Sequence, residues 1–525
     1  MCWVGNPLRI GFRGLATSFV LICLAQSPMY GQDLTYQEVL SKFEATRGGF
    51  PSEERVSALR DLLGHKDFVV RGPILLKAFQ GLIVELDRLD QRVDGLEKNL
   101  TAEEAKFRDA HGEKRDALLE GFRELRFEFE MRLRHRHALE TEIRLTGEAL
   151  REDSSKLPDG PKNQRLKDLI ARAKRAATPL SLWHYTQLLA PLEEPDIVAF
   201  LSDRLHRSKE PKDRIVVADA MAIAGLRVYE APLISALRDP VEAVRAAVIK
   251  ALRSVGSRGA VQALVAQLDI EDGRIEDDIV TVLALMTGQN FYTNRPLWQE
   301  WVEKQPADWS ALKRTSKGLP TRSEKSAKAA SFYGLQFVSE GVVYLIDISG
   351  SMNDPARQEG TTGAGAKDET KLDRAKRELI KSLESLASGT RVNIIAYNDG
   401  LQFFAPEPVV LDDITRRSMV GWTRTLSAAG RTNIYDAIAH VLSRSVDHSP
   451  RKAKGAMLVD SILLLSDGLP TEGRVLDTML LAERVKQLNQ MARVVIHTVG
   501  VGPDHSRALL EGLSKDSSGQ YVVAR

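Results

Sequence analysis

Residues 342–352, V-V-Y-L-I-D-I-S-G-S-M, decide how the last third of the chain is read. Positions 342–346 are β-branched, aromatic or aliphatic, with no polar alternation, which is the pattern of a strand buried on both faces of a parallel sheet. Asp347, Ser349 and Ser351 follow at alternate positions, where such a strand ends and the chain turns. Three small oxygen donors there suit a hard divalent cation, because open α/β sheets collect their ligands at the carboxyl ends of strands.

Two later stretches extend the set. Residues 429–434, A-G-R-T-N-I, open an apolar helix over 435–442. Residues 461–470, S-I-L-L-L-S-D-G-L-P, read as a second all-apolar strand with Asp467 at its end. Asp347, Ser349, Ser351, Thr432 and Asp467 therefore offer hydroxyl and carboxylate oxygens from three loops. The order D-x-S-x-S, then Thr, then Asp resembles the metal-ion-dependent adhesion site of von Willebrand factor A domains, and the resemblance spans about 341–525. It implies that Ser349, Ser351 and Thr432 coordinate Mg²⁺ (or Mn²⁺) directly. It also implies that Asp347 and Asp467 bind the ion or hold its waters, and that one open position takes an Asp or Glu carboxylate of a protein partner. The neutral hydroxyls suit that role, since they leave the ion's charge only partly neutralised.

The surrounding pattern agrees with an α/β fold. A helix over 371–386, a strand over 392–397, a short edge pair within 401–410, a helix over 478–491, a strand over 494–499, a helix over 507–513 and a strand over 521–524 give a doubly wound sheet in a domain spanning 339–525. Pro406 and Pro408 keep the edge pair out of the sheet's centre. The stretch 353–370, rich in Gly and Thr, lengthens the loop directly after the two serines, on the metal side of the sheet.

At 525 residues the chain exceeds one ordinary domain. Its 73 basic and 71 acidic residues leave a formal charge of +2, which argues for no nucleic-acid partner. The first 31 residues read as a signal peptide or signal anchor: Arg9 and Arg13 precede the apolar run 15–25, which is short for a membrane span. This predicts an exported protein, periplasmic, surface-bound or secreted, or one held at the inner membrane by an uncleaved signal. Cys2 and Cys23, the two cysteines, both lie there, so cleavage leaves no disulfide.

Residues 34–73 read as short amphipathic helices. From residue 74 the pattern becomes a heptad seam: Phe79, Leu82, Leu86, Leu89, Val93, Leu96 and Leu100 alternate spacings of 3 and 4. Gly112 interrupts it, and Leu118, Phe122, Leu125 and Phe129 resume. The expectation over 74–156 is a coiled-coil hairpin turning near Gly112; pairing between two chains, as a homodimer, would bury the same seam. The patch R-L-R-H-R-H, which contains His135 and His137, reads as a solvated helix face. Across 164–305 three apolar segments close on Gly225, Gly256 and Gly288, spaced 31 and 32 apart. Leu205, Leu237 and Leu268 mark the helices before them at 32 and 31. A two-helix unit at this period is a solenoid, and D-P-V-E-A-V-R-A-A-V at 239–248 resembles HEAT repeats. Residues 306–338 read as a basic flexible linker.

No phosphate loop, zinc-protease, nucleophile-elbow or Cys-x-x-Cys motif occurs in the chain. The expected function is non-enzymatic: a scaffold whose last domain binds a partner through Mg²⁺. A membrane-anchored assembly factor working with a separate ATPase, and a metal-dependent hydrolase, are the alternatives.

Overall fold

A computed structural model describes residues 57, 63, 68–108, 113–311, 330–356, 369–445 and 459–524. The expected signal segment, and the short helical segment up to Phe68 apart from two isolated positions, lie outside these residues. The chain divides into two compact units, Met1–Leu192 and Glu193–Arg525.

In the first unit, α1 (Phe68–Arg108) and α2 (Glu113–Lys156) pack along their length. Their pairing runs antiparallel: Arg71 Nε donates to Asp153 at 2.9 Å, and Arg136 Nε donates to Asp90 at 2.7 Å. Every member of the first heptad seam is buried, from Phe79 to Leu100, and Phe122 and Phe129 close on it from α2. Two shorter helices, α3 (Asp159–Lys174) and α4 (Pro179–Leu189), complete the unit. Thr178 caps α4 by accepting from Ser181 N at 3.0 Å, and Tyr185 meets the Phe79 ring edge-on at 5.6 Å. The R-L-R-H-R-H patch differs from its expected solvated face. Arg136 and His135 are buried, with Arg136 also 3.0 Å from Glu140 and His135 Nε2 3.6 Å from Glu85. The cause is register: Arg136 stands three residues after Leu133 and three before Leu139, on the apolar face of its helix.

The second unit begins with a stack of helix pairs: α5 (Pro195–Arg207) with α6 (Pro211–Ala224), α7 (Glu230–Ala236) with α8 (Glu242–Val255), and α9 (Arg258–Gln267) with α10 (Gly273–Thr287). Gly225, Gly256 and Gly288 end α6, α8 and α10 at φ of 62°, 65° and 74°. This left-handed conformation stops each helix and is open to glycine at little cost. Successive repeats are tied by ion pairs, buried at Arg214 and half-buried at Arg245. Arg214 holds Asp239 through two bonds of 2.7 and 2.9 Å, and Arg245 holds Glu271 at 2.7 and 3.0 Å. A last helix, α11 (Arg295–Glu303), buries Trp298, whose Nε1 donates to Tyr292 O at 2.7 Å.

The stretch expected as a flexible linker, 306–338, carries structure at both ends. Trp309 packs edge-on against Trp301 at 5.2 Å, and Ala311 N donates to Gly256 O at 2.6 Å. At the far end, β1 (Ala330–Phe332) and β2 (Leu335–Phe337) form an antiparallel hairpin. Its alternation of Ala330, Phe332, Leu335 and Phe337 buries one face, a pattern the basic composition upstream conceals.

The rest is a seven-stranded sheet of β3 (Gly341–Asp347), β4 (Arg391–Tyr397), β5 (Leu401–Phe403), β6 (Val409–Val410), β7 (Ser461–Ser466), β8 (Val495–Val501) and β9 (Tyr521–Ala524). The order is β5-β4-β3-β7-β8-β9, with β6 also on β4. Strands β4, β3, β7, β8 and β9 are parallel, and β5 and β6 run antiparallel at the edge. Around the sheet lie α12 (Lys371–Ser385), α13 (Asp413–Thr425), α14 (Ile434–Ser445), α15 (Thr478–Ala492) and α16 (Arg507–Asp516). Of these, α13 is the one absent from the sequence reading; Asp412 caps it by accepting from Thr415 N at 2.7 Å. The chain leaves β3 to one side for β4 and returns on the other for β7, so β3 is the switch point of the sheet, where a ligand crevice opens. No described helix is long and apolar enough to cross a membrane.

Candidate metal centre

At the carboxyl end of β3 the chain passes Asp347, then Ser349, and enters a short turn of 3₁₀ helix at Gly350–Asn353. Asp347 is fully buried. One of its carboxylate oxygens accepts from Ser349 N at 2.9 Å, the other from Ser466 Oγ at 2.9 Å. These bonds fix the carboxylate between the ends of β3 and β7. Burial pushes its pKa up to about 6; the hydrogen bonds from Ser349 and Ser466 oppose the shift, and the nearby Asp467 adds to it. Burial also pushes the Tyr397 hydroxyl well above its usual range, with the Asp347 charge adding to the effect; Tyr397 Oη donates to Leu465 O at 2.8 Å.

The other donors continue the chain of contacts. Ser349 Oγ is 3.1 Å from Ser351 Oγ, and Ser351 Oγ donates to Asp467 Oδ1 at 2.8 Å. Asp467 and Ser349 are buried, while Ser351 is exposed, so the cluster opens to solvent on one side. Thr432 is buried on the adjacent loop, where it is held by its backbone: its N–H donates to Thr471 Oγ1 at 3.0 Å, and its carbonyl accepts from Thr471 N at 2.9 Å. That loop is pinned to the serine turn by Gly350 N donating to Gly430 O at 2.9 Å and by Ala429 N donating to Ile348 O at 2.8 Å. Gly430 has φ 77°, and a Cβ there would collide with the Asp399 carboxylate, so glycine is required. Of the five expected residues, four are linked through direct contacts. The Thr432 hydroxyl takes no part in those hydrogen bonds among the described residues.

The oxygen spacing can be tested against a small hard cation. Around an octahedral ion with ~2.1 Å bonds, neighbouring ligand oxygens lie about 3 Å apart. The Ser349–Ser351 and Ser351–Asp467 separations of 3.1 and 2.8 Å meet that spacing. The donor chemistry fits as well, being all oxygen. Among the described residues no group of three or more His, Cys, Asp or Glu is placed to hold a metal; this set relies on hydroxyls beside two carboxylates.

One residue of the centre escaped the sequence reading. Lys371, at the start of α12, is buried and donates to Asp467 Oδ2 at 2.8 Å. Its only sequence signal is its place as the first residue of the helix that follows the lengthened loop. That loop starts and ends beside the centre: Pro355 bridges Thr370, Ala356 N donates to Glu369 O at 2.8 Å, and Lys371 N donates to Asp354 O at 2.9 Å. Positions 357–368 lie outside the described residues.

Comparison with known proteins gives two family matches. Residues 366–523 match the von Willebrand factor type A domain, and residues 198–284 match HEAT repeats. The first match includes Thr432 and Asp467 and begins after Ser351. Inter-alpha-trypsin inhibitor heavy chain H4 of Homo sapiens is 28% identical over 188 residues, 35% of this chain and 18% of that protein. The corresponding heavy chain 4 of Mus musculus is 24% identical over 188 residues, with the same coverage of 35% and 18%. The chain thus spans under a fifth of these curated relatives. Among solved structures, a von Willebrand factor type A protein from Catenulispora acidiphila aligns with 22% identity and a TM-score of 0.29, covering 36% of this chain and 40% of that one. Proximal thread matrix protein 1 from the mussel byssus, with a zinc-occupied MIDAS motif, aligns at 15% identity and TM-score 0.26, covering 35% and 43%. The PilB minor pilin of Streptococcus sanguinis aligns at 15% and 0.28, covering 42% and 62%. The C-terminal α/β region is a von Willebrand factor type A domain, and the helical array before it is HEAT-like.

Proposed function

We propose that this protein is a non-enzymatic, exported scaffold whose C-terminal domain grips a protein partner at a Mg²⁺ or Mn²⁺ centre formed by Asp347, Ser349, Ser351, Thr432 and Asp467. The observation that carries this reading is the run of oxygens from Ser349 through Ser351 to Asp467, 3.1 and 2.8 Å apart, tied to the Asp347 carboxylate by the Ser349 backbone N–H and open on one side. When bound, the ion would supply an electrophilic position for an Asp or Glu carboxylate of the partner. The chain's own residues do the rest. Ser349 N and Ser466 Oγ hold Asp347 so that its charge stays at the end of β3. Burial of Asp347, Asp467 and Ser349 keeps water from the inner side, and the exposed Ser351 leaves the outer side free for a ligand. The repeats, in the same compact unit as this domain, would display it. Export rests on the N-terminal basic and apolar run, and the mature N-terminus, read by mass spectrometry, tests it.

Calorimetric titration of Mg²⁺ and Mn²⁺ into the full chain tests the centre. Saturable binding that is lost in Ser351→Ala supports the reading; a wild-type chain that takes up neither ion overturns it.

A further inference from the structure

Asp467 presents its two oxygens to different partners. Oδ1 accepts from Ser351 Oγ at 2.8 Å, on the donor side, and Oδ2 accepts from Lys371 Nζ at 2.8 Å, on the inner side. The Lys371 and Asp467 side chains are 8% and 0% exposed, so the pair is shielded from solvent and from salt. Asp354, 3.6 Å from the same ammonium, is 63% exposed and correspondingly screened. The lysine is built into its place. Thr370 and Asp373 form a capping box that fixes the start of α12, and Lys371 N donates to Asp354 O. The lysine stem also runs past the bare backbone of Gly502, where a Cβ would stand 3.2 Å from Lys371 Cε.

Resting on the metal-centre reading above, we propose that Lys371 is a tethered counter-ion that sets the centre's cation affinity. Without metal, its ammonium compensates Asp467 and keeps the carboxylate aimed at Ser351. With a divalent ion in place, two positive charges share the Asp467 carboxylate, so the ion is held less tightly than by the same oxygens alone. The shielded carboxylates and ammonium carry one net negative charge. A divalent ion turns this into one net positive charge, where a lysine-free centre would be neutral. Lys371 thus trades cation affinity for a stronger pull on an anionic partner group.

The test is titration of Mn²⁺ and Mg²⁺ into the full-length wild type, Lys371→Met, Lys371→Arg and Ser351→Ala, with melting curves in EDTA and in excess Mn²⁺. Lys371→Met is expected to bind Mn²⁺ about tenfold or more tightly, the effect of removing one shielded charge a few ångströms away. Its melting temperature should fall in EDTA, where Asp467 is left alone, and rise with Mn²⁺ by more than that of the wild type. Lys371→Arg, which keeps the charge, should stay near wild type, and it serves as the comparison if Lys371→Met does not fold. Should Lys371→Arg bind as wild type and a folded Lys371→Met bind equally or more weakly, Lys371 is a structural residue and the proposal is wrong while the metal centre stands. If neither wild type nor Lys371→Met takes up an ion, the metal centre and the proposal fall together. A silent wild type overturns the metal centre whatever Lys371→Met does, and the proposal falls with it.

Discussion

In the repeat array, Arg214 and Asp239 are buried together and close on one another through two hydrogen bonds. In the α/β domain, Asp347 and Asp467 are buried just as deeply, yet most of their partners are hydroxyls and backbone, and the cluster opens at Ser351. The Arg214–Asp239 pair thus neutralises a buried charge with a partner of matching geometry, and the gain is register between neighbouring repeats. The α/β domain leaves carboxylates incompletely matched at the switch point of its sheet, and the gain is a place for something else to bind. A buried charge that is complete is architecture; one left incomplete beside an opening is a candidate site.

The largest expected effect tests the architectural side by pH. His184 on α4 is buried, and burial, reinforced by the Arg136 charge, lowers its pKa to about 3. The folded chain therefore holds His184 neutral, while an unfolded chain protonates it near its usual value of about 6.5. Stability from this residue is fully present above pH 6.5 and is lost as pH falls from there toward 3. By linkage the shift amounts to roughly 4–5 kcal/mol. Thermal unfolding followed by far-UV circular dichroism between pH 7 and 3 should show a steeper decline for wild type than for His184→Gln. Parallel declines would mean that the imidazole is not held neutral.

Next, Arg214→Ala leaves Asp239 buried without its counter-charge and should cost about 3–5 kcal/mol. The melting temperature of the repeat array should drop while Mn²⁺ binding by the α/β domain is unchanged. Ser351→Ala should act mainly on the ion. Ser351 is exposed, but its hydroxyl donates to the buried Asp467 carboxylate, so the loss of stability should be about 1–2 kcal/mol, less than for Arg214→Ala. If Ser351 is a direct ligand, as proposed, its loss should weaken Mn²⁺ binding by about 100-fold, close to 2.7 kcal/mol. If Ser351→Ala destabilises the chain as much as Arg214→Ala does, or Arg214→Ala loses the ion, complete and incomplete buried charges do not divide the molecule this way.

Much of this contrast was legible in the sequence, though unevenly. The five candidate donors stand at strand and helix boundaries, where the apolar runs of β3 and β7 end, and a period-free apolar run marks a parallel strand clearly. The repeat period was legible because Gly225, Gly256 and Gly288 recur at fixed spacing and each ends a helix at positive φ. The charge pairs were not. Arg214 and Arg245 sit in apolar helices, and their partners Asp239 and Glu271 lie one repeat further on, so no local pattern joins them. Arg136 and His135 were hidden for a related reason: five basic letters in a run of six look solvated until the register of Leu133 and Leu139 turns one side inward. Lys371 was missed because an N-terminal lysine of an amphipathic helix is ordinarily exposed, and only the tertiary approach of β7 brings Asp467 to it.

The smallest effect bears on that same lysine. Thr370 Oγ1 accepts from Asp373 N at 3.1 Å, and the Asp373 carboxylate accepts from Thr370 Oγ1 at 2.8 Å and Thr370 N at 3.4 Å, closing the cap of α12 one residue before Lys371. Thr370→Ala removes the cap and should cost about 1 kcal/mol, visible as a small drop in the melting temperature of the α/β domain. If the cap positions Lys371, loosening it should let the ammonium drift from Asp467 for part of the time, and Mn²⁺ should bind slightly more tightly, by less than the roughly tenfold gain expected of Lys371→Met. A stability loss with an unchanged affinity would place the cap among the closed, architectural contacts. A shift in affinity toward that of Lys371→Met would make it part of the site, and the border between the two kinds of buried charge would then run between Thr370 and the remainder of α12.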